Sequence, residues 1–274
     1  MPWRRIKNII LLILLGLNLA LAILIGGPAL SDHYGKIRAN RDAVAFLEKK
    51  GIRIDDSNLP DPELLPPSRV VRDREAEARV ARALLGEDVQ QEARGGEVYR
   101  YTGQSGVIQF HSDGSFWAQL TPGAFPVGEN PGAAALELMK MLEFDGEVVD
   151  YSGDRTLAVY LRQVWEGVHL FNQQAVILWD DTGITEITSA RRLYGEPEED
   201  LGRQTITLAT ALIDFYNGLN RLGDVCSRVD GIEPGYLSVT SLSRQMELTP
   251  VWRITTDTGA YQLDLVSGEV ERVS

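Results

Sequence analysis

Cysteine is almost absent from this chain, which has a single one, Cys226, among 274 residues. One cysteine cannot close a disulfide within the chain, so a folded domain must be stabilised by packing. Histidine is scarce too: His33, His111 and His169 are scattered, and none lies at a metal-ligand spacing from Cys226 or another histidine. We therefore expect neither a disulfide framework nor a metal site.

Motifs for catalysis and cofactor binding are also missing. The sequence contains no Gly-x-Ser-x-Gly motif, phosphate-binding loop or dinucleotide fingerprint. The acidic stretch EPEED, residues 196–200, lacks the glycine-centred loop of a calcium hand and is predicted to be a solvated linker between structural units. The sequence thus predicts a protein that is not an enzyme and has no cofactor or small-molecule substrate.

Acidic side chains are absent from residues 1–30 and in excess in the rest of the chain. In total, 39 Asp and Glu oppose 27 Lys and Arg, which gives a formal net charge of −12. Because Arg4, Arg5 and Lys7 belong to the first segment, the remainder is more acidic still. A surface of this sign repels nucleic acid and anionic lipid, so neither is expected as a partner.

The N-terminal region contains one long apolar run, IILLILLGLNLALAILIGG, which starts at Ile9 and is interrupted only by Asn18. About 20 such residues span a bilayer as a helix. Basic residues precede the run, so we predict a cytoplasmic tail at 1–8, a transmembrane helix at 9–30 and an extracellular remainder in a single-pass cell-membrane protein. A cleaved signal peptide is the alternative, but its apolar region would be shorter and would end at a small-x-small site.

Three residues of this segment are candidates for anchoring and partner contact. Trp3 and Lys7 lie at the expected cytoplasmic interface, where such residues are ordinary anchors. Asn18 falls near the centre of the bilayer, where it either pairs with a polar group on another helix or is tolerated without a partner. As a hypothesis, all three orient the helix and mediate its pairing.

Helices outside the membrane segment are indicated by caps and apolar spacing. The first is predicted to begin at Asn40 and stop at Gly51, and the second to follow Asp73 and stop at Gly86. Four prolines within 57–69 exclude a long helix between them.

Three hairpins are predicted within 107–120, 175–188 and 251–265, where apolar and polar residues alternate on both sides of a turn. Asp and Thr favour such bends, and Gly supplies a positive φ. We therefore assign a structural role to the turn residues Asp113, Gly114, Asp181, Gly183, Asp257 and Gly259.

The second and third hairpins each follow a helix and a further extended stretch. The helix before the second hairpin is signalled by Asn130 and Pro131, and the one before the third by an apolar stripe from Leu208 to Leu222. The fold class is therefore α+β, in which a transmembrane helix precedes an ectodomain of repeated helix-plus-antiparallel-sheet units. The boundaries are an N-terminal part at 31–122, one unit at 125–195 and a second at 200–274.

Two Asp-Thr-Gly segments, DDTG at 180–183 and TDTG at 256–259, raise the alternative of an aspartic protease. In such an enzyme two aspartates share a proton and titrate as a coupled pair. In this chain Thr255 and Thr256, rather than an apolar pair, precede Asp257, and turn chemistry explains the same letters. The protease stays a remote alternative.

A family resemblance lies mainly at the two ends of the chain. The order Trp3, Lys7, apolar run and Leu17-Asn18 resembles the N-terminus of the YycI and YycH regulatory proteins, membrane-anchored partners of the WalK (YycG) sensor histidine kinase in Gram-positive bacteria. The segments GIRIDDSNLP, residues 51–60, and PVWRITTDTGAYQLDLVSGEVE, residues 250–271, resemble parts of YycI. The second segment is also similar to PepSY-type domains.

This resemblance implies regulation without catalysis. Its members are expected to act through the transmembrane helix and the extracellular domain on a sensor histidine kinase, together with a sister protein of similar fold, in cell-wall homeostasis. The expected partners are therefore that kinase and a sister regulatory protein in the membrane. The alternative is an extracellular PepSY-like binding or protease-inhibitor module with a soluble partner.

Overall fold

The computed structural model describes most of the chain after the N-terminal segment. The described residues are 14, 35–55, 59–62, 65–152, 157–241 and 245–273. Within them, no helix is long and apolar enough to cross a bilayer. Apart from Leu14, the predicted span 9–30 lies outside the described residues, so the transmembrane helix stays a prediction.

The helices of the described ranges largely begin and end where the sequence signals them. Asp73 caps its helix by accepting backbone N–H groups, and Asn130 does the same at the next one. Asn40 is a correction, because it lies inside the first helix rather than at its start; the preceding residues, GKIRA, are compatible with helix and extend it. The helices are α1 (35–49), α2 (Arg74–Leu85), α3 (Pro131–Met141) and α4 (Leu208–Leu222).

Strands make up most of the remainder and join into one sheet, so the fold is α+β, as predicted. Their order is β10-β1-β12-β11-β8-β9-β5-β4-β3-β2, with β13 and β14 continuing from β12, and β7 and β6 continuing from β8. The strands are β1 (Ser68–Val70), β2 (Gln90–Ala93), β3 (Tyr99–Gly103), β4 (Gly106–Phe110), β5 (Ser115–Leu120), β6 (Gly146–Ser152), β7 (Leu157–Trp165), β8 (Val168–Asp180), β9 (Gly183–Arg191), β10 (Pro197–Glu199), β11 (Val229–Thr240), β12 (Met246–Thr256), β13 (Gly259–Asp264) and β14 (Val270–Val273).

Two large hydrophobic clusters join the helices to the sheet. In the first, α2 and α3 pack on β3, β4, β5, β7, β8 and β9; in the second, α1 and α4 pack on β12, β13 and β14. Strand alternation explains the burial: Phe116 and Ala118 lie in the first cluster, whereas Trp117 between them points to the opposite face. Trp252 and Ile254 alternate in the same way in the second cluster.

The three predicted hairpins correspond to the pairs β4–β5, β8–β9 and β12–β13, all antiparallel. A helix precedes each group of strands: α2 before β2–β5, α3 before β6–β9 and α4 before β11–β14. The domain boundaries given above stay a prediction.

A sharp bend in β8 connects the two halves of the sheet. Along β7, Arg162 is opposite Gln174 but Val164 is opposite His169, so β8 contains extra residues between these pairs. On the C-terminal side of the bend β8 pairs with β9. On the N-terminal side it pairs in parallel with β11, where His169 and Leu170 are opposite Gly235 and Tyr236. We call this β8–β11 junction the seam.

Polar side chains fix the seam. The Asn172 amide donates to the Ser238 carbonyl oxygen at 2.7 Å and accepts the Ser238 backbone N–H at 2.8 Å, and so replaces a rung of the backbone ladder. Gln173, which is fully buried, donates to the Ser238 hydroxyl at 2.7 Å. His169 lies between Glu233 and Glu147, one carboxylate from each half of the sheet.

Replacing Asn172 by Ala should weaken the seam, because the backbone N–H and carbonyl groups of the buried Ser238 would lose their side-chain partner. Unsatisfied groups of this kind cost about 1–3 kcal/mol, so we expect the free energy of unfolding in denaturant to fall by about that amount. Gln174→Ala, two residues away and exposed, is the matched control and should change it by less than about 0.5 kcal/mol. Equal effects of the two variants would show that the amide does not hold the seam.

Candidate binding cleft

The predicted membrane contacts lie outside the described residues. Trp3, Lys7 and Asn18 precede residue 35, where continuous description of the chain begins. Their role in anchoring and pairing stays a prediction. The turn residues, by contrast, can be placed.

Asp113 and Gly114 lie in the β4–β5 turn. The Asp113 carboxylate accepts the Ser115 backbone N–H at 3.0 Å and pairs with Arg191 at 3.1 Å. Partial burial opposes its ionisation, but these hydrogen bonds and the nearby guanidinium hold the pKa of Asp113 below its usual range. Gly114 has φ of +81°, and a Cβ there would lie 2.6 Å from the Met246 Cε atom. The turn is therefore also packed against β12.

In the β8–β9 turn, Asp180 rather than Asp181 makes the turn hydrogen bonds. Its carboxylate accepts the Thr182 backbone N–H at 2.8 Å and the Thr182 hydroxyl at 2.6 Å, which lowers the pKa of Asp180. Asp181 is exposed. Gly183 follows with φ of +126°, and a Cβ there would lie 2.3 Å from the Phe125 carbonyl oxygen. The turn hydrogen bonds are therefore made by the aspartate that precedes Asp181.

Asp257, in the β12–β13 turn that ends at Gly259, ties that turn to a neighbouring segment. Its carboxylate accepts the backbone N–H of Ser227 at 3.0 Å and of Arg228 at 3.2 Å. The hydrogen bond from the Ser227 hydroxyl is the main cause of a lowered pKa of Asp257. The carboxylate therefore has a structural role, and its hydrogen bonds favour the ionised form.

Asp181 and Asp257 lie in the turns of two different hairpins, β8–β9 and β12–β13. Gly235 on β11 is opposite both His169, in parallel pairing, and Val251, in antiparallel pairing, so β8 and β12 run in opposite directions. Each aspartate follows the C-terminal end of its strand, and the Asp257 carboxylate accepts its hydrogen bonds from Ser227 and Arg228 rather than from Asp181.

The remaining candidates for chemistry are also placed by the structure. Cys226 is half-buried, and burial, with a smaller contribution from Asp257, raises the pKa of its thiol to about 11. At neutral pH this thiol is protonated and a poor nucleophile. Among the described residues no group of His, Cys, Asp and Glu side chains could hold a metal ion. His111 and His169 lie in different parts of the sheet, and His33 is outside the described residues.

A large open cleft lies beside the N-terminal half of α2. It has a volume of about 1450 Å³. Its other walls are the loop after α3, the β7–β8 turn and residues 192–198 after β9. We call it the α2 cleft. Its lining is rich in charge of both signs, with Arg74, Arg79, Arg82 and Arg192 among the cations and Glu143, Asp145, Glu166, Glu196 and Glu198 among the anions.

Arg192 forms a buried part of this lining. The residue is 2% exposed, and its guanidinium donates to the carbonyl oxygens of Leu193 and Leu142. Burial lowers the pKa of Arg192, although Glu143 acts in the opposite direction. Because one side chain binds both the end of α3 and the strand exit after β9, it fixes two walls of the cleft against each other.

Glu143 connects this buried arginine to the exposed rim. Its carboxylate lies 3.8 Å from the Arg192 guanidinium and 3.9 Å from that of Arg79. Its backbone has φ of +52°, a conformation that favours glycine just after a helix. Strained non-glycine residues of this kind concentrate at functional sites. The strain at Glu143 therefore marks the cleft as a candidate site.

Sequence reasoning missed this cleft. Its walls come from segments more than a hundred residues apart, and each arginine or glutamate looks alone like a solvated surface charge. One of its rims, around Glu196 and Glu198, is the stretch interpreted above as a linker. A glutamate at the glycine-favouring position after α3 could have been a local signal, but only once the end of α3 was known.

Comparison with known proteins gives limited similarity. No family model matches the chain, and no curated protein matches it. Among solved structures, an uncharacterized protein from Eubacterium rectale ATCC 33656 is 14% identical with a TM-score of 0.40, covering 76% of this chain and 86% of that one. The Bacillus megaterium YpeB C-terminal domain is 15% identical with a TM-score of 0.39, covering 75% of this chain and 99% of that one. Membership of the YycI and YycH family stays a hypothesis.

Replacing Asp257 by Ala should lower the melting temperature at neutral pH, because Ser227 and Arg228 lose their acceptor. The pKa of Asp257 is lowered in the folded state, so its contribution is present above the ordinary carboxyl pKa and is lost as pH falls through the folded value. The melting-temperature difference from the parent should therefore shrink below about pH 4. Asp181→Ala is the control and should melt like the parent at every pH; a loss equal to that of Asp257→Ala would contradict the assignment.

Proposed function

We propose that this chain is a non-catalytic, membrane-anchored regulator whose extracellular domain binds a protein partner in the α2 cleft, and that the regulated protein is a two-component sensor histidine kinase. The observation that carries the binding role is the cleft itself. At about 1450 Å³ it exceeds the 300–1,000 Å³ typical of small-molecule pockets. A cleft of this size suits a segment of another protein.

The charges of the cleft support recognition rather than reaction. Arg79 and Arg192 share the Glu143 carboxylate, and Arg79 also lies 3.8 Å from Asp73. When a charged segment of a partner protein docks, these side chains can exchange their ion pairs within the cleft for ion pairs with the segment. Charge complementarity of this kind contributes mainly specificity and association rate.

The membrane and kinase parts of the proposal rest on the sequence. The apolar run at 9–30 with Asn18 near its centre provides a helix able to pair with another membrane helix. The resemblance at both ends of the chain to YycI and YycH points to a sensor histidine kinase and a sister protein as partners. Regulation then requires that binding differ between two signalling states of the kinase.

A second candidate function is a PepSY-like module that binds or inhibits a soluble extracellular protein. The position of the cleft supports this candidate, because the described residues that line the cleft belong to the extracellular part of the predicted topology. Such a module would retain its partner after its membrane segment is exchanged. The kinase regulator would lose its partner.

The experiment that separates the two functions is isolation of the full-length protein from its native membrane after gentle crosslinking. A second version carries an unrelated transmembrane helix in place of residues 9–30. Recovery of a histidine kinase with the native helix and its loss with the exchanged one supports the regulator. Recovery of an extracellular protein with both versions, and of no kinase, supports the soluble-partner module and contradicts the regulator.

Reversing the charge of Arg82 in the cleft should reduce partner recovery in this experiment by about fivefold or more. Arg82 is exposed and lines the cleft without an ion pair among the described residues, so Arg82→Glu should leave the fold intact. Arg41→Glu, the same change on exposed α1 surface outside the cleft, should leave recovery unchanged. Equal recovery with both variants would place the partner elsewhere.

Replacing Asn18 by Leu tests the membrane contact separately. If the Asn18 amide pairs with a polar group of the kinase helix, the loss of about 1 kcal/mol should lower co-isolation roughly fivefold. Leu lengthens the apolar run and so preserves insertion. Unchanged recovery would show that Asn18 does not contribute to partner binding, and it would not bear on binding in the α2 cleft.

A further inference from the structure

A second concave site lies on the sheet face away from α2 and α3, at the fork where β8 bends away from β9. It has a volume of about 570 Å³. We call it the fork groove. It shares no residue with the α2 cleft, and its principal lining side chains are His111, Trp117, Asn172, Gln174, Glu186 and Thr188.

A β-bulge shapes one wall of the fork groove. The pairing of β5 with β9 shifts register around Trp117, and Ser189 opposite this shift has φ of +46°. A left-handed conformation is uncommon for serine and costs of order 1–3 kcal/mol. Bulges that re-aim a side chain recur next to binding and active sites. Here the bulge lies directly across from the indole ring.

The hydrogen-bonding groups of the groove are mostly neutral. The guanidinium of Arg191, at the edge of the groove, already pairs with Asp113 at 3.1 Å, and His111 is within 3.0 Å of the Gln109 amide. The side chains of Gln174, Glu186 and Thr188 make no hydrogen bond or ion pair within the described part of the chain and therefore have donors and acceptors to offer. Arg191, the arginine among the described lining residues, is thus already paired, whereas the guanidinium of Arg100, outside the lining, lies 5.9 Å from the centroid of the Trp117 ring.

We propose that the fork groove binds a neutral saccharide. Sugar rings present C–H groups on one face and hydroxyls around the rim, so they combine an apolar surface with several donors and acceptors. Trp117 supplies a rigid apolar surface for that face. The amide of Gln174, the hydroxyl of Thr188 and the carboxylate of Glu186 can exchange hydrogen bonds with the hydroxyls. The volume is in the range of small-ligand sites.

A peptide is the competing occupant, and the groove fits it less well. Peptide recognition by a sheet uses a long free strand edge for backbone hydrogen bonds. In the fork, β9 is already paired with β5 on one side and with β8 over part of the other, and the Asn172 amide is engaged by Ser238. Side-chain amides, hydroxyls and one indole remain, which match hydroxyl groups better than an extended backbone.

Titration calorimetry of the full-length protein with chitotetraose, a soluble β-linked tetramer of N-acetylglucosamine, and with cellotetraose tests the proposal. We expect saturable binding of at least one of them. Trp117→Ala should weaken it by about tenfold or more and Gln174→Ala severalfold. Tyr160→Ala removes an aromatic ring of β7 that is 39% exposed and outside the groove, and should leave affinity within about twofold.

The Gln174→Ala variant separates the loss of a ligand contact from misfolding, because this side chain is exposed and its replacement leaves the core intact. Each variant is compared by melting temperature with the parent. A neutral peptide of Gly and Ser of similar length is the third ligand. Binding of the peptide but of neither sugar, no binding of any ligand, or sugar binding that survives both Trp117→Ala and Gln174→Ala would overturn the proposal.

Discussion

The bend in β8 is the constraint on which the rest of the structure depends. On one side of it β8 pairs with β9, and on the other it pairs with β11. Without the bend, the two halves of the sheet would not join at the seam. Strand β8 would then pair with β9 along its length, and the fork groove between them would not exist. The bend is held by side chains rather than by a regular ladder, chiefly by the Asn172 amide on Ser238 and by His169 between Glu147 and Glu233.

The same bend positions the α2 cleft. At the bend Gln163 pairs with Gly146 of β6 but has no partner on β8, and its buried side-chain amide accepts the Leu193 backbone N–H at 3.0 Å. That hydrogen bond holds the strand exit after β9 beside the β7–β8 turn, while Arg192 ties it to the end of α3. The cleft walls are therefore fixed by buried polar contacts, which favours a preformed binding surface.

Local features of the fold followed from the sequence because their causes are local. A cap at Asp73 or Asn130, and a glycine at Gly114 or Gly183, acts within a few residues of its own position. The seam and the cleft arise from pairing between distant strands. The polar residues Asn172, Gln173 and Gln174 interrupt the apolar pattern of β8 at the bend, but they do not indicate which distant strand becomes the new partner. Asp180 was missed for a smaller reason, since either of two adjacent aspartates can serve a turn and only the backbone geometry selects one.

The most direct test of the binding role places a photoreactive benzophenone amino acid at position 82 in the α2 cleft of the full-length protein in its native membrane. The same residue at position 213, on the exposed side of α4, reports on a surface outside the cleft. We expect a defined covalent adduct with one partner protein from position 82 and none from position 213. An adduct from position 213 alone, or none from position 82 while the partner is still recovered by chemical crosslinking, would contradict docking in the cleft.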